Sequence, residues 1–341
     1  MTHRIAVIAG DGAGPEVIAE ARKVVDALGL DIAWTDLPWG TDHFHAHGTM
    51  MPPDALDVAR GHDAILLGAV GHPSVPDHIT LWGLLLGLRQ GLDLYANIRP
   101  ARLLDGVPSA LEGRPAVDML FVRENTEGEY SGVGGRAHQG LELEVGIETS
   151  VFTRAGVRRV VEHAFDLAEQ RSGRLTSATK SNASRYGYVL WDEVVEDVAG
   201  SHPDVRVERV LVDALAARMV SNPGSLDVVV ASNLFGDILT DLAAVLQGGM
   251  GMAASASIGA GGPGMFEPVH GSAPDIAGQG IANPLGAIWS AALMLDHLGE
   301  AEASARVLAG VEAVCREGIV TRDLGGGAST TEVGDAVAAR V

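Results

Sequence analysis

The strongest constraint on the fold is an alternation. Short apolar runs of strand length are separated by longer stretches with helical periodicity. The first run, residues 5–9, meets Gly10-Asp11-Gly12 and then Pro15, which suits the first turn of a helix reaching about Leu28. Strand character recurs at 64–67, 94–98, 117–122, 206–212 and 226–231, and helical patterns cover 81–90, 154–170, 186–198, 239–247 and 284–298. Such alternation marks an α/β protein on a mixed, largely parallel sheet. At 341 residues the chain exceeds the ~250–300 at which one core stops growing, so two domains are expected. Residues 248–264, with seven glycines, read as turns and close backbone approaches near a site, and 142–149 alternate as an arm or hairpin would.

Charge narrows the function. The 24 basic residues against 44 acidic ones leave a net charge of −20, which disfavours nucleic acid and anionic membrane surfaces. No run approaches the ~20 apolar residues of a spanning helix, and the apolar run near the N-terminus is too short for a signal peptide. With Cys315 the sole cysteine, a cytoplasmic enzyme is expected. Only Lys23 and Lys180 are lysines among the basic residues. A chain that otherwise prefers arginine keeps lysine where a positive group has to lose its proton.

Several local patterns carry chemistry, each with a plainer alternative. Gly10–Gly14 follows a strand and opens a helix, but the dinucleotide fingerprint needs Gly or Ala where Pro15 stands, so the Rossmann reading fails. Asp237 and Asp241, four apart just beyond an apolar strand, share a helix face. They are either helix-start carboxylates favoured by the dipole or hard-oxygen ligands for Mg²⁺ or Mn²⁺, with Asp213 after another strand as a third. Arg89, Arg99 and Arg123 end separate elements, as solvated charges or as forks gripping substrate carboxylates. Tyr130, after Glu127-Gly128-Glu129, is a half-buried ring or a general acid. His43, His45 and His47 alternate, which would place them on one strand face. No second cluster completes a metal shell, and they read as surface or loop histidines.

Two longer stretches are specific. Ser232-Asn233-Leu234-Phe235-Gly236-Asp237-Ile238-Leu239 with Asp241, and Glu267-Pro268-Val269-His270-Gly271-Ser272-Ala273-Pro274-Asp275-Ile276-Ala277-Gly278, resemble the metal-dependent β-decarboxylating dehydrogenases of isopropylmalate, isocitrate, homoisocitrate and tartrate/D-malate, and the likeness runs nearly end to end. The resemblance implies a two-domain isopropylmalate-dehydrogenase-like fold rather than a Rossmann fold. It implies one domain of 1–97 plus 250–341 on the cofactor side. A second, 98–249, would hold the metal helix and the dimer interface, with an intersubunit arm at 132–149. Arg89, Arg99 and Arg123 match the substrate-carboxylate arginines, Tyr130 and Lys180 the acid–base pair, and Asp213, Asp237 and Asp241 the divalent-metal ligands. Lys180 and Asp213 would reach the site from a second subunit, so at least a homodimer is implied, with a tetramer open. The loop carrying His270, Gly271, Ser272, Ala273, Pro274, Asp275, Ile276 and Asn283 matches the part that wraps the adenosine. Asp275-Ile276 resembles NAD users, since a carboxylate accepts ribose hydroxyls and repels a 2′-phosphate. K⁺ is a candidate activator.

Substrate choice is expected in the helix before Arg89. Isopropylmalate enzymes resemble Glu-x-x-Leu-Leu-x-x-Arg here, whereas this chain places Trp82 at the Glu position, followed by Leu85 and Leu86. Isocitrate enzymes carry Ser and Asn where Gly83 and Leu85 stand. Residues 75–83 and 123–130 look like the tartrate/D-malate branch, with Trp82 shortening the pocket for a C4 acid. Residues 183–188, beyond Asn182 in the lysine motif, depart from that branch. The expectation is NAD-dependent oxidative decarboxylation of D-malate, with tartrate as an alternative substrate. The rivals are an isopropylmalate dehydrogenase and a non-catalytic dicarboxylate-binding protein on the same fold.

Overall fold

A computed structural model describes residues 2–341. In chain order its strands are β1 (His3–Gly10), β2 (Ile32–Asp36), β3 (Ala64–Ala69), β4 (Ala96–Arg102), β5 (Asp118–Glu124), β6 (Gly128–Ala137), β7 (Val145–Val151), β8 (Arg174–Thr179), β9 (Arg206–Leu211), β10 (Val228–Ala231), β11 (Ala254–Ile258) and β12 (Gly264–Pro268). The α-helices are α1 (Gly14–Ala27), α2 (Thr41–His47), α3 (Ala55–Arg60), α4 (Asp77–Thr80), α5 (Leu86–Gly91), α6 (Arg154–Glu169), α7 (Gly187–Ala199), α8 (Val212–Ser221), α9 (Asn233–Leu246), α10 (Leu285–His297), α11 (Ala301–Glu317) and α12 (Thr330–Ala338). Contacts divide the chain into two compact units. One comprises Met1–Leu94, Ile98–Val117 and Ala243–Val341, and the other Tyr95–Asn97 and Asp118–Leu242.

In the first unit β1 lies between β2 and β3, parallel to both. β12 runs parallel to β3, and β11 pairs antiparallel with β12. Ile5, Val7, Leu66 and Phe266 pack with α1 and α10 into a buried core. The small residues of 248–264 do not form turns throughout, as the sequence suggested. Ala254, Ser255, Ala256 and Ser257 form a buried strand against α10, where Ser290 Oγ accepts from Ser255 N at 3.3 Å. A Cβ on Gly286 would stand 2.9 Å from Ala253 O, so smallness here serves close helix–strand approach.

The alternating histidines, read from the sequence as surface or loop residues, lie on helix α2, with His45 and His47 exposed. Gly40 precedes this helix, and Gly48, at φ +76°, ends it with its N–H on Phe44 O at 2.7 Å. The buried Asp11 carboxylate anchors its start, accepting from Thr41 N, Thr41 Oγ1 and Gly71 N, each at 2.8 Å. The helix expected at 81–90 also differs. It begins at Asp77 and widens into a π turn over Leu81–Leu85 before α5.

In the second unit β10 lies between β5 and β8, parallel to both, and β9 flanks β8. All four β10 residues are buried and apolar, the pattern of a strand covered on both faces. Helix α6 buries Val157, Val160, Val161, Ala164, Phe165 and Ala168 at spacings of three and four, one face of a helix. Its N-cap Thr153 accepts from Gly156 N at 2.9 Å. β6 and β7 form a separate antiparallel hairpin.

Candidate active site

Where β10 ends, α9 begins almost at once, so its first turns stand at the carboxyl edge of parallel strands, the edge at which α/β sheets bind ligands. Asp237 sits one turn into α9 and Asp241 one turn further. Arg123, at the end of β5, is almost fully buried. Its Nε and Nη2 both donate to Asn233 Oδ1, at 3.0 and 2.7 Å, and its Nη1 donates to Asp237 Oδ1. A Cβ on Gly236 would meet Arg123 Cγ at 2.6 Å, so this glycine lets α9 close on the arginine. The Tyr130 hydroxyl donates to Asp237 Oδ2 at 3.2 Å, and the Arg123 guanidinium lies 5.7 Å from the Tyr130 ring centroid. Burial, and then the neighbouring Asp237 charge, raise the Tyr130 pKa, so the phenol keeps its proton.

Lys180 follows β8, and Asp213 lies in the first turn of α8. They form a second pair, Lys180 Nζ to Asp213 Oδ1 at 2.5 Å, and this bond holds the exposed Asp213 carboxyl below the usual range. Asn182 is exposed in the turn closed by Ala183 N and Ser184 N on Lys180 O. Among the described residues of one chain, the ligand oxygens of Asp213, Asp237 and Asp241 do not gather within 4.8 Å of one another. The structure thus brings Tyr130, Arg123 and Asp237 together, and pairs Lys180 with Asp213. The donor chemistry, carboxylate oxygens throughout, fits a hard divalent cation such as Mg²⁺ or Mn²⁺.

In the first unit Arg89 is buried at the end of α5 and donates from Nη2 to Glu267 Oε1 at 2.6 Å, while its buried Nε has no protein partner. Arg99 is buried on β4. Trp82 lies in the π turn and is 40 % exposed, with Leu85 half-buried after it. A cavity of about 350 Å³ is lined by Gly249, Met250, His270, Ala273, Ile276 and Asn283, among others. His270, Ala273, Ile276 and Asn283 line it, whereas Gly271, Ser272, Pro274 and Asp275 belong to the loop but not to its lining.

The loop is tied down on several sides. Ala13 N donates to Ser272 O at 2.7 Å, and a Cβ on Gly12 (φ +59°) would stand 2.0 Å from that oxygen. Glu16 accepts from Gly278 N and from Gly280 N. Asn283 donates to Asp323 Oδ2 and accepts from Leu285 N, each at 3.0 Å. His270 donates from Nδ1 to Gly271 O at 2.9 Å, because a carbonyl can only accept, which leaves the buried Nε2 as an acceptor without a partner. Burial holds its pKa below the ordinary value, so the ring is neutral. A mostly apolar cavity with one unsatisfied ring nitrogen fits an aromatic base carrying an N–H donor, as adenine does.

Sequence reasoning passed over the partners that hold these groups. Asn233 and Glu267 both stood inside the quoted motifs, and an amide or carboxylate beside a required arginine was the available signal. Tyr188 was also missed. Its hydroxyl lies 2.7 Å from Ser232 Oγ and donates to Glu129 Oε1 at 2.9 Å, and its ring stacks on Phe235 with centroids 4.6 Å apart.

Against known proteins, the family model described as isocitrate/isopropylmalate dehydrogenase matches residues 4–337. A probable tartrate dehydrogenase/decarboxylase TtuC' of Agrobacterium vitis is 51% identical over 345 residues, covering 98% of this chain and 96% of its own. A 3-isopropylmalate dehydrogenase of Mycobacterium tuberculosis is 52% identical over 312 residues, covering 91% and 93%. Among solved structures, isocitrate dehydrogenase from Methylococcus capsulatus superposes with a TM-score of 0.93 at 37% identity, covering 99% of both chains.

Proposed function

The chain belongs to the isocitrate/isopropylmalate dehydrogenase family, and from that premise we propose that it oxidises D-malate with NAD and decarboxylates it to pyruvate and CO₂, with tartrate as a second substrate. The likeness to tartrate dehydrogenase/decarboxylases supports this branch. The observation that carries the substrate assignment is Trp82, a large indole seven residues before the buried Arg89, where isopropylmalate enzymes resemble glutamate. A ring there leaves room for a C4 acid and no carboxylate with which to hold a longer one.

When bound, Mn²⁺ or Mg²⁺ on Asp213, Asp237 and Asp241 would supply Lewis acidity toward the C2 hydroxyl and its carboxylate, and NAD would accept the hydride. Lys180 Nζ takes the C2 hydroxyl proton as hydride leaves C2. Arg89, Arg99 and Arg123 hold the carboxylates, and their fixed positive charge favours the anionic form of the substrate. Loss of the β-carboxylate as CO₂ leaves an enolate, and the Tyr130 hydroxyl protonates its carbon. A raised pKa suits this role, because the phenol is still protonated when its proton is needed.

The working enzyme is a homodimer in which Lys180 and Asp213 serve a partner's Tyr130 and Asp237. The exposed apolar side chains of the β6–β7 hairpin, Leu141, Leu143 and Ile147, and of α9, Ile238 and Val245, support this, as does the finding that the Asp213, Asp237 and Asp241 oxygens do not gather among the described residues of one chain. No helix among the described residues is long and apolar enough to cross a membrane. We assign the enzyme to the cytoplasm on charge and its single cysteine.

A second reading, 3-isopropylmalate dehydrogenase, draws on the 52% identity to the mycobacterial enzyme. A binding protein without chemistry would need neither Tyr130 nor Lys180. Lys180→Met separates that case: NADH production should collapse while thermal stabilisation by D-malate with Mn²⁺ persists. Unchanged turnover in this variant would overturn the assignment of the base.

A further inference from the structure

We propose that helix α2 carries a second metal site, in which the imidazoles of His43 and His47 bind a borderline divalent cation such as Zn²⁺. The two residues are four apart on one helix, so their rings share a face, and their centroids lie 4.5 Å apart. Two nitrogens at ~2.0–2.1 Å from a tetrahedral Zn²⁺ stand roughly 3.4 Å from each other, a separation compatible with ring centroids 4.5 Å apart. Imidazole pairs suit Zn²⁺, Ni²⁺ and Cu²⁺, whereas the carboxylates of Asp213, Asp237 and Asp241 suit Mg²⁺ and Mn²⁺.

The second observation is the orientation of His43. Its Nδ1 lies 2.6 Å from Thr49 O. A carbonyl cannot donate, so Nδ1 carries the hydrogen and Nε2 keeps its lone pair. Metal-binding histidines are fixed in just this way, with the other ring nitrogen donating to a backbone carbonyl or carboxylate. Gly48 makes the bond possible, since its left-handed conformation (φ +76°) turns the chain so that Thr49 O faces back along the helix. The third histidine is placed differently. His45 Nε2 lies 2.9 Å from Ser74 Oγ, a hydroxyl also 2.7 Å from His72 Nδ1. The site is therefore the 43/47 pair completed by water, not the alternating trio seen in the sequence.

Occupancy would have a structural consequence. The residues after α2 lead directly to Met50, which is buried, and a Cβ on Gly83 of the π turn would stand 2.7 Å from Met50 Cγ. An ion joining His43 to His47 stiffens the seven-residue α2 and with it the segment that backs the π turn.

The test is a Zn²⁺ titration of tag-free protein in excess Mg²⁺, which occupies the carboxylate ligands. One equivalent per chain should bind, and wild-type thermal stability should rise with Zn²⁺. His47→Ala and His43→Gln should each weaken Zn²⁺ binding by roughly tenfold or more, while His45→Ala changes it little. Cu²⁺ bound to the wild type should show hyperfine structure from two nitrogens. Undiminished binding in His47→Ala would overturn the proposal. So would loss of the site in His202→Gln, because Asp166, Glu169 and His202 form the acid–histidine group whose ligand atoms lie within 4.8 Å of one another. Basal activity on D-malate without Zn²⁺ should be equal in wild type, His47→Ala, His43→Gln, His45→Ala and His202→Gln, which shows that each variant is folded.

Discussion

Asn233 holds Arg123 by two bonds to a single oxygen, Oδ1 accepting from Nε at 3.0 Å and from Nη2 at 2.7 Å. The first residue of α9 thereby fixes a buried guanidinium at the end of β5. The same side chain donates to Glu127 O at 3.1 Å, tying in the turn that precedes Tyr130. Replacing Asn233 with Ala removes two hydrogen bonds to the buried guanidinium, and hydrogen bonds to charged groups contribute about 1.5–3 kcal/mol. Urea denaturation of Asn233→Ala should show a loss of that size, with KM for the hydroxy acid raised. A stability equal to wild type would mean that water replaces the amide and that Asn233 is not the anchor.

Tyr130 offers a direct test of the acid. Removal of a positioned general acid costs about 10²–10⁴-fold in rate. Tyr130→Phe should lower kcat within that range and leave KM for NAD close to wild type. Because burial and Asp237 raise the phenol pKa, wild-type kcat should show no loss of this acid below its ordinary pKa of 10. An alkaline limb near neutrality that disappears in Tyr130→Phe would contradict the assignment.

The proposed preference for NAD rests on Asp275, exposed in the loop tied to Ala13 and Glu16. Asp275→Lys should lower kcat/KM with NAD and raise it with NADP, since the carboxylate that repels a 2′-phosphate is replaced by a cation. Unaltered discrimination would place the selection elsewhere.

Stability should depend on pH through histidines whose surroundings disfavour the charged ring. Burial holds His270, His163 and His297 below their ordinary 6.5. The unfolded chain therefore takes up protons first. Their contribution is complete above 6.5 and is lost as pH falls through that value toward the lower folded-state pKa values. Melting temperature should drop between about pH 7.5 and about pH 5.5, and His163→Gln/His297→Gln should flatten the slope. An unchanged slope in the double variant would remove these two histidines from the account.

What the sequence showed depended on the range of the interaction. β1, β3, β10 and α6 were legible because burial on both faces or one helical stripe writes a pattern into neighbouring residues. β11 was not, because its Ala and Ser residues owe their size to the approach of α10 nearly thirty positions away. The alternating histidines read as surface or loop residues, and their helix was missed because it depends on the flanking glycines and on the distant Asp11 carboxylate. The acids, arginines, Tyr130 and Lys180 could be named from motifs. That Asp237 lies under Arg123 and Tyr130 while Asp213 lies on Lys180 depends on strand order, which no local pattern carries.

The most direct measurement is NADH formation at ~340 nm, the reduced nicotinamide band, with Mn²⁺ and K⁺ present and with D-malate, tartrate, isopropylmalate and isocitrate compared side by side. Trp82 and the absence of a glutamate at its position predict D-malate ahead of isopropylmalate by roughly tenfold or more in kcat/KM, about 1.4 kcal/mol of transition-state discrimination. Isopropylmalate ahead of D-malate would contradict that reading of the segment before Arg89 and assign the chain to the isopropylmalate branch of its family.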